Sequence, residues 1–122
     1  MSRLNMTSLI QQLPKTAGAL TPVYTALTGY TGIQWSNTGH ESVWIINGST
    51  ASNYTINYGP VYGGAVVTPI GPTACPVSNA SGICLAGPFN SEFNQNDGLN
   101  SVWIDFSSVV SVTIAILQMV GV

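Results

Sequence analysis

Hydrophobic and polar residues alternate with a period of two along much of the chain, the signature of half-buried β-strands rather than helices. The clearest case lies near the C-terminus. Val102, Ile104 and Phe106 fall on one face with Trp103 and Asp105 on the other, and Val110, Val112, Ile114 and Ile116 repeat the pattern opposite Ser111 and Thr113. Upstream, Ser42 to Asn47 is a run of β-branched and aromatic residues, and Tyr54 to Tyr58 alternates cleanly. Shorter extended pieces are predicted over 21–27, 33–35 and 65–68. Ser36 to His40 reads as a turn, and residues 69–82, with Pro69, Pro72 and Pro76, as a loop. Asn47-Gly48 predicts a hairpin joining 42–47 to 54–58, because a type I′ turn needs positive φ at both central residues. Asp97-Gly98 supplies a second tight-turn signal. Short strands separated by such turns predict an all-β, antiparallel β-sandwich or jelly-roll-like single domain. Over residues 1–20, Leu9, Ile10 and Leu13 suffice for one helical turn before Pro14. The expected organisation is therefore an extended N-terminal arm over 1–20 and a β-sandwich domain over 21–122.

Composition sharpens this picture. A chain of 122 residues buries about two-thirds of its unfolded surface, enough for one modest core. Charged residues make up 5% of it, against about 25% in an ordinary domain. They are Arg3, Lys15, Glu41, Glu92, Asp97 and Asp105. The hydrophobic share of 45% is too high for a disordered segment. Ser, Thr, Asn and Gly supply the polarity, and a surface so poor in charge has little repulsion to keep molecules apart. Such a chain is expected to pack against neighbours. Two basic residues and a net charge of −2 argue against nucleic acid and against a polybasic membrane anchor. The start, MSRLNMTSLIQQLPKT, has no continuous apolar region and does not read as a secretory signal. Val109 to Leu117 is too short to span a bilayer and reads as a buried final strand.

Candidate chemistry is sparse. Cys75 and Cys84 enclose a short loop that either closes as a disulfide or holds two reduced thiols. With a single histidine they do not make a zinc set. His40 lies in a turn without the local context of a hydrolase nucleophile and reads as a surface residue. Glu92, Asp97 and Asp105 read as solvated loop and strand-face acids rather than a glycosidase pair. Asn94, Asn96 and Asp97 form a turn, since a calcium loop would place its glycine one residue later and close on an acidic ligand. No catalytic, cofactor or metal residue is assigned. Trp103, opposite the apolar face of its strand, is expected to pack on a second layer, a neighbouring subunit or a sugar ring.

Several pieces recur in a meaningful order. Asn37-Thr38-Gly39 precedes a strand and is followed by Val43-Trp44-Ile45-Ile46-Asn47-Gly48. Then come Gly87-Pro88-Phe89, Phe93-Asn94 and Asp97-Gly98, and finally Ile104-Asp105-Phe106-Ser107-Ser108 with Ser111-Val112-Thr113-Ile114-Ala115-Ile116-Leu117. Over about 23–117 this order resembles the head decoration (auxiliary capsid, or cement) proteins of tailed bacteriophages. The Cys75–Cys84 loop and the segment holding Arg3 and Lys15 fall outside the pattern. The resemblance implies a small β-sandwich that is a structural protein of the virion and not an enzyme. It implies binding to the outer surface of an assembled capsid, with the major capsid protein as partner. It also implies a homo-oligomer, a trimer by preference, without cofactor, nucleic acid or membrane. On that view Leu4, Leu9, Ile10 and Leu13 lie on a neighbour or on the shell, and Trp103 is a further contact. Removing residues 1–20 would then weaken attachment and leave the sandwich folded. The alternative is a glycan- or receptor-binding module of a phage fibre or adhesin, with exposed aromatic rings as stacking platforms.

Overall fold

The alternation of the C-terminal segments is realised as two facing strands, one in each of two packed sheets. The computed structural model describes residues 3–12, 20–48, 52–57, 70–75, 83–95 and 98–119, except for the side chains of 70–75 and 83. Its strands are β1 (Arg3–Asn5), β2 (Gln11–Gln12), β3 (Thr25–Ala26), β4 (Gly32–Ser36), β5 (Glu41–Asn47), β6 (Ser52–Asn57), β7 (Ile70–Cys75), β8 (Ile83–Ala86), β9 (Ser101–Phe106) and β10 (Val112–Gln118). Two short 3-10 turns, Thr7–Leu9 and Ser91–Phe93, accompany them. The first sheet has the order β1-β4-β9-β6-β7 and the second β2-β10-β5-β8, with β3 also pairing with β10. Between them lies the core. Ile33 and Trp35, Tyr54 and Ile56, and Val102, Ile104 and Phe106 come from the first sheet; Val43, Ile45, Val112, Ile114 and Ile116 come from the second. The protein is an all-β sandwich. Its pairings are antiparallel except the two made by the N-terminal strands, β1 on β4 and β2 on β10, which are parallel.

Those two pairings change the reading of the N-terminus. Residues 3–12 are not an arm beside the sandwich but a strap across its open side. β1 adds to one sheet, the 3-10 turn crosses over, and β2 adds to the other. Met6 is 1% exposed at the crossing, and its N–H bonds the Gln34 carbonyl at 2.7 Å. Leu4 and Ile10 pack against the core from either side of it. A division between arm and domain at residue 20 therefore does not follow the packing of residues 3–12. Burial explains why: three apolar side chains at spacing too irregular for one helix face still reach one core when the chain bends between two sheets.

The Asn47-Gly48 hairpin is not formed. β5 lies between β10 and β8 in one sheet, and β6 between β9 and β7 in the other. With seven register pairs to β10 on one side and β8 on the other, β5 has no free edge for β6. Gly48 instead donates its N–H to the Ser111 carbonyl at 2.9 Å and does not take a positive φ. Part of the expected 69–82 loop is the edge strand β7, where Pro72 is tolerated because, among the described strands, only one side of it faces a neighbour. β8 carries no strong sequence signal and is nevertheless a four-residue strand. The 21–27 segment contributes only Thr25–Ala26, and Val110 sits exposed in a turn rather than in β10. The strand expected over 65–68 lies outside the described residues.

Candidate assembly surface

On the outer face of the first sheet, β4 and β9 pair Gly32 with Asp105. A Cβ at residue 32 would collide with the Ile104 carbonyl and stand 2.7 Å from Asp105 Oδ1, so only glycine leaves room for that carboxylate. Arg3, reaching over from β1, binds it in bidentate fashion, Nε to Oδ1 and Nη2 to Oδ2, both at 2.7 Å. Asn57 Nδ2 donates to the same carboxylate at 2.9 Å. The Arg3 guanidinium lies 4.2 Å from the centroid of the Trp103 ring. One face of that indole is thus covered by the chain's own cation, and a sugar stacking there would have to displace it. Because the pair is partly exposed, Arg3→Ala is expected to cost about 1 kcal/mol. A urea double-mutant cycle with Asp105→Ala should return a coupling of that order, and additivity would show the pair to be idle.

The outer face of the second sheet is different in kind. The register aligns Leu85, Trp44 and Ala115 in one row across β8, β5 and β10, with Ile46 in the next row beside Thr113. Ala115 and Leu117 are buried on this face, Trp44 and Ile46 are half-buried, and Leu85 is 58% exposed. Ser42, Trp44, Ile46, Thr113, Ala115, Leu117 and Leu85 include no charge.

At the opposite edge of the same sheet, Ser8, Leu9, Ile10, Gln11, Val23 and Thr25 line an open cleft of about 280 Å³. Gln11 spans its floor: the side-chain amide donates to the Val23 carbonyl at 2.8 Å and accepts the Val23 N–H at 2.9 Å, as a neighbouring strand would. Leu9 and Val23 are exposed at this edge. Of the contact residues expected from sequence, Leu9 faces outward and Leu4 and Ile10 face inward. Trp103 lies under Arg3 on the other sheet, and Leu13 lies outside the described residues. They do not form one surface.

The end of the sandwich where β5 begins is held by polar groups. Glu41 is fully buried. Its carboxylate accepts the Thr38 N–H at 2.7 Å, the Thr38 hydroxyl and the Gln118 side-chain amide, the last also at 2.7 Å. Gln12 in turn donates to Gln118 at 3.0 Å, which brings β2 into the same network. Asn37 braces the facing loop by donating to the Phe89 carbonyl at 3.0 Å and to Asn94 Oδ1 at 2.9 Å. Nearby, Gly39, Pro88, Phe89, Asn90 and Phe93 line a second open cleft of about 330 Å³. The sequence held a signal for Glu41: it shares parity with the inward-facing Val43 and Ile45.

His40 is exposed in its turn, as expected. Among the described residues no three His, Cys, Asp or Glu side chains gather to hold a metal. Cys84 is a free, half-buried thiol 3.6 Å from the Tyr54 hydroxyl. The side chain of Cys75, its candidate disulfide partner, and all of Asp97 lie outside the described residues. Compared with protein-family models, with curated proteins and with solved structures, the chain matches none.

Proposed function

We propose that this chain is a non-enzymatic structural protein of a phage virion that binds the outer surface of an assembled capsid and stabilises it. Its partners are the major capsid protein and further copies of itself. One observation carries this beyond the sequence resemblance. The second sheet presents exposed apolar side chains at two opposite edges, Leu9 with Val23 beside β2 and β3, and Leu85 on β8. Among the described residues charge is sparse: Arg3 and Asp105 neutralise each other, Glu41 is buried, and Glu92 remains. A component of a lattice needs two such adhesive places, one for the shell and one for its neighbour.

The action is mass action. A protein that binds only the assembled shell stabilises it by linkage, by about 2.7 kcal/mol per site at a free concentration of 100 times Kd. Weak contacts repeated over a lattice gain further from effective concentration. Quantitative mass spectrometry of the encoding virus's purified particles should find the chain in copy numbers comparable to the major shell protein. A handful of copies, or none, would overturn the reading. Leu9→Asp combined with Val23→Asp should lower occupancy about tenfold or more, a loss of about 1.4 kcal/mol or more, with the far-UV dichroism unchanged.

A further inference from the structure

We infer that β8 is the place where a second copy of this chain adds, by antiparallel strand pairing across a twofold axis. The argument begins with sheet edges, whose unpaired N–H and C=O groups attract other strands unless they are blocked. Three edges here carry a block. β7 holds Pro72, and its pairing with β6 shifts register between Tyr54 and Ile56. β1 carries Arg3, engaged with Asp105. The far side of β10 is divided between β2 and β3, and the Gln11 amide satisfies the backbone of Val23 beside them. β8 has none of these devices. Ile83–Ala86 contains neither charge nor proline, and among the described strands it pairs on one side only, with β5.

The second copy is the occupant that this chemistry fits. An uncharged strand with Leu85 projecting from it is complementary to itself, and neither β8 nor the outer row of Trp44 and Ala115 beside it brings a charge to repel an approaching copy. Twofold antiparallel pairing must set a residue opposite itself, because facing residues in a ladder share one side of the sheet. Centring on Leu85 places the two leucines together on the outer face, next to Trp44 of each copy, and sets Cys84 of each copy opposite Ala86 of the other. The two sheets then continue as one, with their apolar rows joined. Four residues per strand make a weak contact, suited to a component that gains strength from repetition. A twofold contact departs from the trimer that the sequence resemblance implies.

The test uses the full chain in solution without any shell, so its outcome is independent of the capsid reading, which particle mass spectrometry tests by itself. In a Cys75→Ser, Cys84→Ser background, Leu85→Cys should form a disulfide-linked dimer under mild oxidation, since facing Cα atoms in a ladder lie about 4.5–5.5 Å apart. Val110→Cys, on an exposed turn elsewhere, should cross-link at least about tenfold more slowly. In sedimentation velocity the unmodified chain should show a dimer at about 100 µM, and Leu85→Lys, at an exposed site, should raise the dissociation constant at least about tenfold. A monomeric wild type would overturn the inference. So would equal cross-linking at residues 85 and 110, or an oligomer that survives Leu85→Lys.

Discussion

Deleting residues 1–12 is expected to unfold the domain rather than to detach a tail. The deletion removes Met6 from the core together with the inward contacts of Leu4 and Ile10. It also uncovers the β4 edge and part of the β10 edge, and breaks the Arg3–Asp105 pair. Met6→Ala by itself should cost about 2–5 kcal/mol, by lost burial and the cavity left behind. A domain of this kind has only about 5–15 kcal/mol in total. Urea unfolding followed by tryptophan fluorescence should therefore show a much lower midpoint for Met6→Ala and no cooperative transition for the deletion. A truncated chain that unfolds at the wild-type midpoint would restore the view of these residues as an arm.

Glu41→Ala is expected to be the most damaging polar substitution, at about 3 kcal/mol, because it empties a fully buried site and takes the shared acceptor from several part-buried hydrogen bonds. The Thr38 N–H and hydroxyl and the Gln118 amide all converge on this one carboxylate, and through Gln118 it ties β10, β5 and β2 at a single point. Glu41→Gln keeps the shape and one acceptor oxygen, and should cost about half as much. Gln118→Ala should be milder again, since Thr38 remains to satisfy the carboxylate. The same urea series decides the order. Equal midpoints for Ala and Gln at position 41 would mean that neither volume nor one acceptor oxygen suffices and that the site requires the whole carboxylate, whereas a wild-type midpoint for Gln would mean that volume is what matters.

The face each strand turns inward was legible, because a period of two depends only on local geometry. Val102, Ile104 and Phe106, and equally Val112, Ile114 and Ile116, lie where alternation puts them. Which strand lies beside which was not legible. Asn47-Gly48 favours a reversal in isolation, but the ladders that β5 makes with β10 and β8 outweigh one turn. The N-terminal strap escaped notice because strands of three and two residues carry no period. Their identity comes from the edges on which they dock. Of the candidate surface, Leu9 was legible as an exposed apolar residue in an otherwise weakly structured segment. Leu85 was not, because the four residues of β8 between Gly82 and Gly87-Pro88 are too few to show a period. The Arg3–Asp105–Trp103 cluster joins opposite ends of the chain, and no local pattern announces it.

Among the described strands, only β6 and β7 are both consecutive and paired. Every other ladder closes a large loop, as when β10 brings Leu117 to Gln11, or β9 brings Asp105 to Gly32. Such non-local order places the domain among slow folders, on a scale of milliseconds to seconds. On the ribosome, where chains grow at about 5–20 residues per second, β2 and β3 have no partner among the described strands until β10 has emerged, and β5 has only the edge strand β8. The first sheet can therefore begin to pair early, through β1 on β4 and β6 on β7, while the second stays open until β10 joins β5 to β2 and β3.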